Sequence, residues 1–302
     1  MLKSIYHISG VTCQIVLGIL TNSTLVFPDD ILKPKELQKT ILEHEITYCD
    51  TTVTTLKLIS LGFNKSLPIK TISINGEVMS MNQFNRFKKV FPDSNLFYSY
   101  GLSEAGPRVT FISAEEIINK GMSSGKPLDN IEIKIFREKG SKDTDPGEIM
   151  LKSPSLMLGY FNNEYLTKRK LINGWLATGD MGFIDTEGNL HVLGRKDEAF
   201  IRGGKLVYPS EIEHAIMQIN EVKDCLVYGE LTKNGSCNIY SLVTLDCGSR
   251  INVHDITGKL RGVLPLYLIP QKIKIVKVIP NNAGKSNRKK ILEGGFFDNV
   301  KQ

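Results

Sequence analysis

Up to about residue 100 the chain alternates between two hydrophobic rhythms. Pro34 opens a stretch in which Leu37 and Ile41 stand four apart, the spacing of one face of an amphipathic helix. Ile46 to Cys49 reads as a strand, Ile69 to Ile74 as a second, and Phe84, Phe87 and Val90 mark another helix face. Such alternation predicts an α/β fold, with helices layered on a largely parallel sheet. From about Ile131 to Leu193 the pattern turns to short strands. Asp185-Thr186-Glu187-Gly188-Asn189, between Met181–Ile184 and Leu190–Leu193, reads as a hairpin turn, so a β-rich subdomain is expected there. After Gly194 a small α+β segment follows, with Pro209 at a helix start and Ile212, Ile216 and Ile219 on one face. Its strands are expected at Cys225–Gly229, Ile239–Leu245 and Ile273–Val278. The expected boundary lies near Asp197, giving a partial large N-terminal domain over residues 1–196 and a small C-terminal domain over 197–302. Lys139 to Pro146 is polar and reads as a loop, and no internal repeat is evident.

Composition narrows the function classes without naming one. The 302 residues leave room for one large and one small domain. With 41% hydrophobic and 23% charged residues, nothing suggests disorder. A formal net charge of +6 suits polyanionic small molecules. The one dense basic run, Lys285 to Lys290, contains Ser286 and Asn287 and no aromatic residue, which argues against nucleic acid. Cys13, Cys49, Cys225, Cys237 and Cys247 form neither a CxxC pair nor a His/Cys cluster, so reduced, mostly buried thiols are expected. Ile15 to Leu20 is too short for a membrane span, and no transmembrane segment is read elsewhere. A cytoplasmic location is the expectation.

Four short motifs stand in order: Tyr100-Gly101-Leu102-Ser103-Glu104, Thr178-Gly179-Asp180, Gly194-Arg195-Lys196-Asp197 with Gly203-Gly204 after it, and Gly284-Lys285. Each alone is weak; their shared order and spacing carry the signal. Together they resemble the downstream part of the adenylate-forming enzymes, the superfamily of acyl-CoA synthetases and AMP-binding ligases, from about Ile5 to about Leu292. That family activates a carboxylic acid with ATP and passes the acyl group to a thiol. Bringing a carboxylate to an α-phosphate joins two anions, so such a site needs cations and a firmly held nucleotide.

The resemblance assigns roles residue by residue. Tyr100 corresponds to the residue packed on adenine, Gly101 to its neighbour in the nucleotide-binding segment, Ser103 to an α-phosphate contact, and Glu104 to the Mg²⁺ ligand. A strand end capped by a helix starting at Ser103 is the competing reading. Asp180 corresponds to an aspartate that binds both ribose hydroxyls, and can equally be a turn residue after glycine. Arg195 corresponds to a further nucleotide contact or, in the plainer reading, an exposed salt bridge. Asp197 matches the hinge about which the small domain turns. Gly203 and Gly204 match a loop lining the thiol tunnel, or a plain hairpin turn. Lys285 matches the lysine that bridges carboxylate and α-phosphate. Its Gly-Lys-Ser string imitates a phosphate loop, but position 279, where that motif needs glycine, is Ile279.

Asn75-Gly76-Glu77 resembles a segment beside adenine and the acyl pocket, and can equally end a strand. Tyr6-His7 falls where an aromatic-His pair sits near the reacting carboxylate; a plain core or surface histidine is the alternative. No Asp stands in Tyr6-His7-Ile8-Ser9 to pair with a substrate ammonium, which disfavours free amino acids. Tyr208-Pro209-Ser210-Glu211-Ile212-Glu213 resembles acyl-CoA synthetases more than peptide-synthetase adenylation domains, which implies coenzyme A as acceptor rather than a carrier-protein phosphopantetheine.

The resemblance therefore implies an acid–thiol ligase using ATP, Mg²⁺ and coenzyme A on a small fatty or aryl carboxylic acid. Carrier-protein acylation and a non-catalytic remnant that binds nucleotide remain open. The family's Ser/Thr/Gly-rich phosphate loop would lie before the region where this sequence starts. On that ground the chain alone is expected to be a weak catalyst that associates with a complementing N-terminal chain; an acyl carrier protein is the other partner the resemblance allows.

Overall fold

The computed structural model describes residues 7–28, 33–60, 67–138, 140, 142, 145–232, 237–246 and 248–279, with the backbone of 281–282 and 285–286. The chain divides into two compact units, Met1–Val192 and Leu193–Gln302. Cys247 and Tyr6 lie outside the described residues.

The first unit begins with a helical run made of α1 (Ile8–Gly10), a π-helical stretch (Val11–Val16) and α2 (Leu17–Leu20). α3 (Pro34–Glu43) starts on proline, as its sequence implies, and buries Leu37 and Ile41. It ends sooner than the strand expected at Ile46 begins. Glu45 takes a positive φ of 49° and the Ile46 amide turns back to the Ile41 carbonyl, so Ile46 belongs to the helix terminus. β1 therefore runs from Tyr48 to Thr51. α4 (Val53–Ile59), β2 (Thr71–Asn75), α5 (Met81–Val90) and β3 (Asn95–Ser99) follow. β1, β2 and β3 pair in parallel, each β-α-β crossover returning a helix to the sheet. β4 (Thr110–Ser113) adds antiparallel to β3, α6 (Ala114–Lys120) follows it, and β5 (Lys126–Pro127) closes the order β1-β2-β3-β4-β5.

The register gives this sheet two different faces. Cys49, Ile72, Ile74, Leu96 and Tyr98 point into one apolar core with Leu37, Leu56, Phe84, Phe87 and Ile117 from the helices. Phe84 and Phe87 are fully enclosed, and truncating such a side chain to alanine generally costs about 3–5 kcal/mol. The alternate positions, Asp50, Ser73, Asn75 and Ser99, are polar yet also buried.

A second sheet in the same unit has the order β10-β9-β7-β6, from β6 (Glu132–Phe136), β7 (Gly147–Lys152), β9 (Trp175–Ile184) and β10 (Leu190–Arg195). The short β8 (Leu171–Ile172) pairs with β9 after α7 (Glu164–Lys170). The expected hairpin at 185–189 is present: the Asp185 carboxylate accepts the Glu187 and Asn189 amides at 2.9 and 2.8 Å. Bonds from Ser124 N to Leu190 O and from Leu190 N to Gly125 O, both 2.8 Å, fasten the two sheets together.

The second unit carries the hairpin β11 (Phe200–Arg202) and β12 (Lys205–Val207), α8 (Pro209–Met217), β13 (Val222–Leu231), β14 (Cys237–Leu245), α9 (Val253–Arg261) and β15 (Lys272–Ile275). β13 and β14 are antiparallel, and β15 adds parallel to β14. Ile212, Ile216 and Ile219 are buried, as their spacing implies, against Val227, Ile239, Val243 and Ile273. Among the described residues no helix is long and apolar enough to cross a membrane.

Cys13, Cys49, Cys225 and Cys237 are free and buried. Burial pushes the Cys49 thiol up to about 12 and raises those of Cys13 and Cys237. The thiolate is the reactive form, so these thiols are expected to resist Ellman's reagent in mildly alkaline native buffer and to react in denaturant. Rapid native labelling of Cys49, located by peptide mapping, would contradict this packing.

Candidate active site

Parallel strands present their carboxyl ends on one edge, where α/β folds commonly receive ligands. β2 ends at Asn75-Gly76 and β3 ends at Ser99-Tyr100, so two of the sequence-selected segments emerge side by side. Asn75 is buried and donates to Asp50 Oδ1 at 2.9 Å. Gly76 turns the chain at φ 83°, and Glu77 Oε2 accepts the Thr54 amide at 2.7 Å in the first turn of α4. A carboxylate is favourable at a helix N-terminus, so Glu77 anchors α4 in this structure. This is the strand-ending turn, at the carboxyl edge of the parallel strands.

Tyr100-Gly101-Leu102-Ser103-Glu104 forms a tight loop, not the start of a helix. Leu102 and Gly106 bridge each other, Ala105 N bonds Leu102 O at 3.2 Å, and Val109 N returns to Tyr100 O at 2.7 Å. The helix-cap alternative for Ser103 is thus corrected: the chain closes on itself before a helical turn can form, leaving Ser103 exposed on the loop. Glycine at 101 has a steric cause, because a Cβ there would lie 2.2 Å from the Pro107 carbonyl oxygen.

Glu104 is held from a segment that sequence reasoning passed over. Its Oε1 accepts the Tyr160 hydroxyl at 2.8 Å, and its carbonyl accepts the Met157 amide at 2.8 Å. Tyr160 sits in Leu158-Gly159-Tyr160, which has no periodic pattern to mark it. Glu104 Oε2 has no hydrogen-bond partner among the described residues. One carboxylate oxygen with water and phosphate oxygens is a usual Mg²⁺ environment, so this residue fits a phosphate-bound Mg²⁺. Among the described residues no group of three or more His, Cys, Asp or Glu could hold a metal without such help.

Asp180 comes from the second sheet through an irregularity in β9. Glu148 faces Met181 while Met150 faces Ala177, so Ile149 alone lies opposite Thr178-Gly179-Asp180. The bulge is built by Gly179 at φ 79°, by Gly179 N donating to Glu148 Oε1 at 3.1 Å, and by Thr178 Oγ1 donating to Ile149 O at 2.7 Å. Asp180 is thus a bulge residue inside a strand rather than a turn residue. Its Oδ2 accepts the Tyr100 hydroxyl at 2.5 Å, which brings together two residues 80 positions apart.

His7 is exposed at the N-cap of α1, where Nδ1 accepts the Ser9 amide at 3.3 Å and lies 2.9 Å from the Ser9 hydroxyl. In the second unit, Arg195 Nε and Asp197 Oδ1 form an exposed pair at 3.3 Å, the salt-bridge alternative. Gly203 and Gly204, at φ 56° and 73°, make the two-residue turn of the β11–β12 hairpin. Lys285 lies in β17 (Lys285–Ser286), whose backbone pairs antiparallel with β16 (Asn281–Asn282), Asn282 opposite Lys285. Ala283 and Gly284 between them lie outside the described residues.

Residues 1–161 match the AMP-binding enzyme family, and the chain belongs to that family. It is 28% identical over 286 residues to a 2-succinylbenzoate–CoA ligase of Oceanobacillus iheyensis, covering 92% of this chain and 57% of that protein. A ligase of the same name from Listeria monocytogenes is 30% identical over 294 residues, covering 96% of this chain and 60% of that one. The solved o-succinylbenzoate CoA synthetase of Bacillus subtilis, in complex with an acyl-adenylate intermediate, superposes with a TM-score of 0.84 at 28% identity. That match covers 97% of this chain and 60% of the solved one. An anthranilate CoA ligase shares the fold, with a TM-score of 0.88 at 21% identity. The chain spans under two thirds of the length of these relatives.

Proposed function

We propose that this chain supplies the nucleotide-binding centre and the lysine of an ATP-dependent ligase that joins a carboxylic acid to coenzyme A. The observation that carries the reading is the Tyr100–Asp180 hydrogen bond, which sets a phenol and a carboxylate from different sheets beside the Ser103-Glu104 loop. An aromatic ring, a carboxylate for a vicinal diol and a hydroxyl for a phosphate are the groups that AMP requires. In the proposed reaction a substrate carboxylate oxygen attacks the α-phosphorus and pyrophosphate leaves. A coenzyme A thiol then attacks the acyl carbon and AMP leaves.

In this scheme the Tyr100 ring packs on adenine, with Gly101 beside it, while its hydroxyl orients Asp180 toward the ribose. Ser103 donates to the α-phosphate. Glu104, steadied by Tyr160, holds Mg²⁺, which would offset charge on the phosphates. Asn75, Gly76 and Glu77 border adenine and the acid, and His7 lies toward the carboxylate. Arg195 adds a nucleotide contact, Asp197 is the hinge, and Gly203-Gly204 line the path of the thiol. Lys285 bridges carboxylate and α-phosphate, placing positive charge where negative charge builds in the transition state. Likeness to 2-succinylbenzoate–CoA ligases makes that acid the first to test.

Three measurements follow from this reading. The purified chain is expected to bind AMP by calorimetry, and Asp180→Ala to weaken binding about ten- to a hundredfold, the range for hydrogen bonds to a charged group; no binding by the wild type sinks the reading. In a preparation that supports adenylate formation, Lys285→Ala is expected to slow that step by at least about a hundredfold while sparing thioester formation from supplied acyl-adenylate. Equal loss in both steps would assign Lys285 a structural role. Limited proteolysis is expected to cut near residues 195 to 205 and release a stable C-terminal piece of about a hundred residues. Cleavage confined to other regions would count against Asp197 as a hinge.

A further inference from the structure

One charge pair, its carboxylate buried and its guanidinium partly exposed, lies outside every residue assigned above. Asp50, on the polar face of β1, has a fully enclosed side chain, and the guanidinium of Arg108 stands 3.5 Å from its Oδ2. Arg108 leaves the returning limb of the Tyr100–Glu104 loop and passes over β3 to reach β2 and β1. There Nη2 donates to the Tyr48 hydroxyl at 2.7 Å and to the Ser73 hydroxyl at 3.1 Å. Asp50 has a second tie, accepting Asn75 Nδ2 at 2.9 Å, and its backbone carbonyl accepts Gln14 Nε2 at 2.9 Å. Taking the Asp50 carboxylate out of water is costly, and an apolar residue would fill its place more cheaply. What the pair supplies is a fixed geometry.

That geometry falls between the two candidate segments. From Asn75 a continuous path runs through Asp50 and Arg108 to the backbone of the loop. At 108 the loop is already locked to Tyr100, through Val109 N to Tyr100 O at 2.7 Å, Thr110 N to Tyr100 O at 3.2 Å, and the contact that forbids a Cβ on Gly101. Moving the Arg108 backbone therefore moves Tyr100. We infer that Arg108, seated by Asp50, Tyr48 and Ser73, is a positioning residue that fixes the Tyr100–Glu104 loop relative to Asn75-Gly76-Glu77. This inference rests on the nucleotide-site reading for its functional consequence, but not for the mechanical coupling itself.

The experiment compares the purified chain with Arg108→Lys, Arg108→Met and the double variant Asp50→Asn with Arg108→Met, which leaves no buried charge uncompensated. Readouts are amide exchange at Leu102, Ala105 and Val109, AMP affinity, and melting temperature. Expected for Arg108→Met is roughly tenfold faster exchange at those three amides, with exchange in β13 and β14 unchanged and AMP binding weakened by a similar factor, a coupling of the size found between neighbouring groups. Arg108→Lys should recover part of both effects. The double variant should melt near the native temperature and still show the fast loop exchange, which separates positioning from stability. Native exchange and native AMP affinity in the double variant would overturn the inference. So would exchange accelerated equally throughout β1–β3, which marks a general loss of stability. If the wild type does not bind AMP, the functional reading fails, and the exchange data still decide the coupling.

Discussion

The hydrogen bond from Tyr100 to Asp180 is the constraint on which the proposed site depends. Each residue is placed by a different sheet: Tyr100 where β3 ends, Asp180 where β9 bulges. Neither placement is soft. The Gly101 contact with Pro107 fixes one side, and three hydrogen bonds through Thr178 and Gly179 fix the other. Hydrogen bonds to charged groups are worth about 1.5–3 kcal/mol, too little to draw two flexible segments together against their conformational entropy. It is the rigidity of the two supports that makes the bond form, and a site so supported is already organised for its ligand.

The parallel sheet beneath it shows the usual division of labour carried to an extreme. One face follows the pattern visible in the sequence, apolar residues meeting the helices α3 to α6. The other buries Asp50, Ser73, Asn75 and Ser99. A buried polar face needs partners, and Arg108, Tyr48 and Gln14 provide several of them. Asp50, Ser73 and Asn75 are thereby tied into one network whose partners come from segments far apart in the chain, while the Ser99 hydroxyl has no hydrogen-bond partner among the described residues.

This distinction explains what the sequence disclosed. Helices α3, α5 and α8 and the hairpin at 185–189 are periodic or carry local turn chemistry, so their residues suffice to place them. Helix α4 was not foreseen because Val53, Thr54 and Thr55 favour strands; it forms on the Thr52 cap and the Glu77 carboxylate, the latter contributed from 23 residues away. Tyr100, Gly101, Ser103, Glu104 and Asp180 are legible through the resemblance of their short motifs to those of the family, although their partners lie far along the chain. Tyr160, Arg108 and Asp50 are not, because they stand in no such motif and only the fold brings them to partners more than fifty positions distant.

The two units divide the proposed chemistry as well as the fold. The first holds the Tyr100 ring, the Asp180 carboxylate, the Ser103 hydroxyl and the Glu104 carboxylate, which the proposal assigns to AMP and its Mg²⁺ in both halves of the reaction. The second holds Lys285 on a two-residue strand and the paired glycines of a hairpin turn. Adenylation calls for a cation at the α-phosphate, whereas thioester formation calls for a narrow path to the acyl carbon. One rigid centre cannot present a lysine and a thiol channel at the same point. In the proposed scheme Lys285 and the glycine pair are carried on a unit other than that of Tyr100, Ser103, Glu104 and Asp180, so one nucleotide grip by those four can serve both steps while the attacking group changes from carboxylate to thiol.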